Sequence, residues 1–233
     1  MESKYLVYGK KVVQHVLETK PNLIIEIWIE AGEERVWEFS IPENIKVVKK
    51  NISEIDRVAD GNHQGFVAFM KEYNYVPFAE IVDEDKILIL DRIQDPHNFG
   101  AIIRSAALFG YKNILLLDHN QCPVTPAVVK TSAGTLYDVQ IVRVSNLSNA
   151  IKALQENNHW IYSTFLSEDS QELNSIEFTK RNAIIIGNEG EGISQKIAKQ
   201  SDFRIKIKTN DAIDSLNASV ATGVILFFAT LNQ

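Results

Sequence analysis

Three stretches of this sequence set polar residues where an apolar run gives way: DPHNFGAIIRSA at 95–106, GNEGEGIS at 187–194 and DSLNAS at 214–219. In the first, Asn98 is suited to cap a helix N-terminus. Arg104 breaks the run IIRSAA and shares a helix face with Gly100, where a missing side chain leaves room for a ligand. A guanidinium so placed can hold a phosphate or a developing oxyanion. The plainer reading makes Arg104 a surface arginine and Asn98 only a cap, and these residues alone leave both open.

The second stretch follows the strand-like AIIIG and invites comparison with a phosphate cradle. Its glycines run G-x-x-G-x-G, unlike the dinucleotide G-x-G-x-x-G, and no Gly-Lys-Ser/Thr follows. Glu189 and Glu191 put two negative charges where a phosphate would lie and would repel it. A ligand bearing hydroxyls or positive charge suits such a loop, although a tight turn with solvated carboxylates has the same pattern. In the third stretch Asp214 or Ser215 can cap a helix with the small residues Ala218, Ser219, Ala221, Thr222 and Gly223. Ser215 and Asn217 add a hydroxyl and an amide at its entrance, on a helix that could equally serve close packing alone.

Several chemistries are disfavoured. His63 and His97 have no second histidine at ligand spacing, so no metal is expected. The single cysteine, Cys122, forms no internal disulfide or multi-cysteine zinc site and has no evident activating neighbour. A Gly-x-Ser-x-Gly elbow is absent. No run approaches a membrane span, and MESKYLVYGKKVV lacks an apolar signal core, which together suggest a cytoplasmic protein. The net charge of −6 runs against nucleic-acid binding. Residues 1–80 hold 10 Lys+Arg against 13 Asp+Glu and residues 81–233 hold 14 against 17, so any RNA contact must be local. Candidate patches are Lys10/Lys11, Lys46/Lys49/Lys50, Lys180/Arg181 and Arg204/Lys206/Lys208, the last alternating along one strand face.

The elements that must position these residues fall into two parts. Residues 1–72 alternate helix-like VVQHVLET and ISEIDRVA with strand-like NLIIEIWIE, IKVVKK and GFVAFM, giving a small α/β domain. Residues 73–82 lose periodicity and read as a linker. Residues 83–233 carry strand-like KILILD, NILLLD, VQIVRV, WIYSTF, AIIIG and FRIKIK. Helix-like stretches at 98–109, 124–133, 146–157, 193–200 and 216–230 separate them. Such a series implies a parallel sheet with helices on both faces, and the three polar stretches would meet at the carboxyl ends of its strands.

In order and spacing the three stretches resemble the motifs of the SpoU family of RNA 2′-O-methyltransferases, within the SPOUT class. VYGKKVV to GNHQGFVAFM is similar to the small RNA-binding domain of its ribosomal members. The resemblance implies an α/β fold with a trefoil-knotted parallel-sheet domain, S-adenosylmethionine as cofactor and a homodimer. It further implies that the substrate is RNA, a guanosine ribose in 23S rRNA or its large-subunit precursor, with neither DNA nor a membrane as partner. Carried over by motif, Arg104, Asn98, Glu189, Ser215 and Asn217 would be catalytic, and Gly187, Ile207 and Leu216 would line the cofactor pocket. The third motif departs from the family pattern: Lys208, Thr209 and Asp211 stand where proline, methionine and glycine are expected. Two alternatives are a tRNA 2′-O-methyltransferase and a non-catalytic RNA-binding or ribosome-assembly protein. The altered third motif favours the second of these, and the intact polar residues oppose it.

Overall fold

The structure is a computed structural model that describes residues 5–32, 40–167, 169–188, 190–209 and 216–231. They fall into two compact units: residues 1–74 with 124–137, and residues 75–123 with 138–233.

The first unit holds a sheet of β1 (Leu6–Tyr8), β4 (Phe66–Met70), β2 (Ile24–Glu30) and β3 (Lys46–Lys50), in that spatial order. β4 runs antiparallel to β1 and β2, and β3 runs parallel to β2. Helix α1 (Lys10–Thr19) turns Val13, Val16 and Leu17 inward. Helix α2 (Ile52–Asp56) starts with a capping box between Asn51 and Glu54. A hydrogen bond from Lys50 holds the Glu54 carboxyl below its usual range, and Lys50 also lies 4.9 Å over the Trp28 ring.

The sequence reading placed 124–137 with the second part; by packing, it belongs to the first unit. Helix α4 (Pro126–Thr131) buries Val128 and Val129 and packs against β1. The turn after it reaches Val12 and Val16, where a β-carbon on Gly134 would lie 3.2 Å from a methyl of each. Glycine at φ +85° gives both the clearance and the backbone conformation.

The second unit is built on a sheet whose strand pairs are all parallel: β7 (Gln140–Val144), β6 (Asn113–Leu117), β5 (Lys86–Asp91), β10 (Asn182–Gly187), β8 (Trp160–Thr164), β11 (Phe203–Lys206) and β9 (Gln171–Glu172). The central strands are buried on both faces, which explains their continuous apolar runs. One face forms a core of Ile87, Ile89, Ile161, Ala183 and Ile185 with side chains of α5 (Leu147–Glu156) and α6 (Gln195–Gln200). Each such isoleucine contributes about 1.5–3 kcal/mol by leaving water. Helix α3 (Pro96–Leu108) packs along α7 (Ala218–Leu231), and α7 reaches β10. The small residues of α7 serve this packing, with Ala218 and Thr222 buried and Gly223 near Ser105 of α3. The expected linker is partly absorbed into this unit, since the Val76 amide donates to Ile141 and Ile81 is fully buried.

Candidate active site

Chain order in the sheet reverses beside β5, with β6 and β7 on one side and β10, β8, β11 and β9 on the other. Parallel sheets bind ligands outside the carboxyl ends at such a point. Gly187, the last residue of β10, lies beside Asp91, the last of β5. A cavity of about 380 Å³ opens at the ends of β8, β10 and β11, within the roughly 300–1,000 Å³ usual for small-molecule sites. Gly187, Ile207 and Leu216 all line it, as do Thr209 and Lys206. Among the described lining residues the charged ones are Lys206 and Glu191.

Gly187 has no space for a side chain: a β-carbon would lie 2.4 Å from backbone atoms of Gly192 and Ile193. The loop therefore folds directly onto the strand end. Asn188 braces it, its side-chain oxygen accepting from the amides of Gly190 (2.9 Å) and Glu191 (3.2 Å). Its side-chain nitrogen donates to the Arg92 carbonyl at 2.9 Å. Glu189 lies outside the described residues.

Sequence reasoning missed Asp91 and Arg92. Asp91 is buried, and its carboxylate accepts from Arg92 Nε (3.1 Å) and from the Ser194 amide (3.2 Å). The Arg92 guanidinium goes on to pair with Glu191 and to donate to the Gly192 carbonyl at 3.2 Å. Its pKa is raised first by the hydrogen bond to Asp91 and further by the charges of Asp91 and Glu191. Arg92 adopts φ +63°, a left-handed conformation uncommon outside glycine. Glu191 is thus neutralised by an arginine, which removes half of the acidic repulsion expected of this loop. The one available signal was a cation directly after the strand KILILD, and that pattern is common on surfaces.

Asp95, not Asn98, caps α3: its side chain accepts from the His97 amide at 2.9 Å, with Pro96 as the first helical residue. This corrects the expected cap. Asn98, released from capping, accepts at its side-chain oxygen from Asn217 Nδ2 at 2.9 Å. Asn217 is itself the cap of α7, its Oδ1 accepting from the amides of Ser219 and Val220. The capping expected of Asp214 or Ser215 falls to Asn217; both of those residues, with Asp211, lie outside the described residues. Arg104 is exposed on α3, with no hydrogen bond or ion pair among the described residues. Neither Arg104 nor Asn98 lines the cavity. The structure therefore joins Asn98 to Asn217 and gathers Gly187, Ile207 and Leu216, but sets Arg104 apart from that pocket.

The expected cationic strand face is divided among partners. Arg204 pairs with Asp169, Lys208 with Glu172 at 3.2 Å, and Lys206 turns to the cavity. Lys180 and Arg181 face Asp85, and Lys46 meets Glu26 at 3.1 Å. His63 is buried between Asp56 and the Gly65 amide. Burial, then the charge of Asp95, raises the Cys122 thiol pKa, which keeps it protonated. Among the described residues no helix is long and apolar enough to cross a membrane.

Residues 85–227 match the SpoU rRNA Methylase family, and residues 6–76 match the family described as RNA 2′-O ribose methyltransferase substrate binding. A Staphylococcus saprophyticus protein assigned to the TrmH family of tRNA/rRNA methyltransferases is 30% identical, over 95% of this chain and 93% of its own length. An AdoMet-bound rRNA methyltransferase from Sinorhizobium meliloti superposes with TM-score 0.78 at 25% identity, over 97% of this chain and 87% of that one. A TrmH/SpoU tRNA modifying enzyme from A. aeolicus gives TM-score 0.59 at 26% identity and covers 66% of this chain and 81% of its own.

Proposed function

The chain belongs to the SpoU rRNA methylase family, and we propose that it transfers a methyl group from S-adenosylmethionine to the ribose 2′-hydroxyl of a guanosine in 23S rRNA. It is an RNA methyltransferase with S-adenosylmethionine as cofactor. The observation that carries the reading is the cavity at the carboxyl ends of β8, β10 and β11, bounded by the glycine loop and by Ile207 and Leu216. Its lining suits this cofactor. Apolar side chains and loop backbone can take an adenine and a ribose, while a single lysine among the described lining residues offers little to a polyphosphate.

When bound, the cofactor supplies a methyl carbon made electrophilic by a cationic sulfur. The chain must position the attacking hydroxyl and stabilise the charge that develops on O2′. Arg104 serves that charge and an adjacent phosphate as a fixed cation. A guanidinium offers only donors and no acceptor, so it is unsuited to act as the base. Asn98 and Ser215 would orient the ribose, Asn217 would hold Asn98 in place, and Glu189 would fix the neighbouring side chains or accept a hydrogen bond. Because attack joins a developing anion to a cation, a water-poor pocket favours the step.

Finer features belong to the same proposal. The insertion of β10 between β5 and β8, and of β11 between β8 and β9, supports a C-terminal segment threaded as a trefoil knot. Residues 1–72 would present the RNA and residues 83–233 carry out transfer, with 73–82 between them. Leu108, Phe227 and Leu231 are exposed on α3 and α7, which supports a homodimer closing over that face. Arg104 lies one turn before Leu108 on the exposed side of α3 and would be enclosed by the second copy. The enzyme would work in the cytoplasm on rRNA or an assembling large subunit. The substrate-binding match at 6–76 favours rRNA over tRNA, since likeness to the A. aeolicus tRNA enzyme covers only 66% of the chain. Nucleoside mass spectrometry of RNA from cells lacking the gene should show loss of one 2′-O-methylguanosine from large-subunit rRNA. Loss from tRNA instead would reassign the substrate.

A further inference from the structure

We infer that Arg92 is a positioning residue for the cofactor, latching onto the end of β5 the wall that Glu191 and Gly192 contribute to the cavity. The inference rests on that cavity holding the methyl donor. Arg92 does not line the cavity, so it acts through residues that do.

Its contacts divide in a way that suits a latch. Nε is anchored on the buried Asp91 at 3.1 Å. The outer nitrogens reach across to the Glu191 carboxylate and, at 3.2 Å, to the Gly192 carbonyl. The Arg92 carbonyl accepts from Asn188 at 2.9 Å, so its backbone and its side chain hold the same loop. Asp91 completes the brace from below by accepting the Ser194 amide at 3.2 Å, just beyond the loop. The two ends of the glycine loop are therefore tied to adjacent residues at the neighbouring strand end, Asn188 to the Arg92 carbonyl and Ser194 to the Asp91 carboxylate.

Two further observations separate this role from general stabilisation. Arg92 takes φ +63°, where a side chain is disfavoured and glycine is at ease. The side chain is thus held against local preference, and its contacts offset that cost. The Glu191 side chain is 74% exposed, and an ion pair this open contributes little to folding. Its consequence is the placement of Glu191 and Gly192, which form part of the cavity wall. Arg92→Gly keeps the backbone conformation while removing the whole latch, and Glu191→Ala breaks its exposed outer contact while leaving the Arg92–Asp91 pair in place.

Calorimetry with S-adenosylhomocysteine on the full chain tests this. Arg92→Gly and Glu191→Ala should each weaken binding about tenfold, and the double variant no more than either alone, because both break one coupled contact. Arg92→Lys should recover part of the affinity. Melting temperatures should hold for Glu191→Ala and fall for Arg92→Gly, which leaves the buried Asp91 carboxylate without its cation, and turnover should show a raised KM for the donor with kcat at saturation preserved. Equal affinity in all variants would overturn the latch alone, as would multiplying losses in the double variant. Absence of binding by the unaltered protein would overturn the cofactor reading and the latch with it.

Discussion

Arg104 presents a guanidinium that no described residue engages, on a helix whose first turn carries the Asn98–Asn217 hydrogen bond. A donor that no described residue engages can meet a phosphate or an oxyanion when RNA arrives. Arg104→Ala should lower single-turnover methylation by about 10²–10³, the usual cost of one oxyanion-type donor. Affinity for S-adenosylhomocysteine should stay near that of the unaltered protein, because Arg104 is not part of the cavity lining. Loss of both together would make the residue structural. Arg104, Asn98 and Asn217 stand out in the sequence because each interrupts an apolar pattern, and the structure joins the two asparagines by a hydrogen bond that no pattern discloses. Arg92 was not legible, because its importance comes from a loop far along the chain and from a backbone conformation that residue identity does not disclose. Asp95 was misjudged in favour of Asn98 although Pro96 follows it, and a proline at the first helical position marks the preceding residue as the cap.

Among the elements, the hinge of the site is the joint between β10 and its loop. The strands of the large sheet were legible from apolar runs that only a strand buried on both faces requires, and the helices from their apolar spacing. β1 and β9 were missed because three and two residues carry no period to detect. The affiliation of α4 was hidden for another reason: Val128 and Val129 fit a sheet face or a neighbouring helix equally well on pattern alone. Gly187 was legible as a pocket residue, but its closeness to Gly192 was not. Gly187→Ala should force the loop away from the strand end, since the new methyl would meet backbone atoms at 2.4 Å. Calorimetry should then find S-adenosylhomocysteine affinity lost, and a thermal melt should show destabilisation of about 1–3 kcal/mol, as for overpacked sites. Affinity equal to that of the unaltered protein would show that the loop yields freely.

The whole molecule carries a charge of −6, and most of the sequence's cationic patches prove to be matched by acids, as at Lys46, Lys180, Arg204 and Lys208. RNA affinity must then come from few contacts and depend strongly on their placement, which fits a chain whose action is local. The exposed apolar side chains Leu108 (72%) and Leu231 (63%) predict self-association through α3 and α7. Light scattering should give twice the chain mass, and Phe227→Arg should halve it and remove methylation; a monomeric unaltered protein that retains activity would refute the dimer. The most direct measurement incubates the purified protein with S-adenosylmethionine and large-subunit rRNA, digests the RNA and identifies the methylated nucleoside by mass. The account predicts 2′-O-methylguanosine, its methyl group on the ribose. A methyl group on a base, or none in any RNA offered, would contradict it.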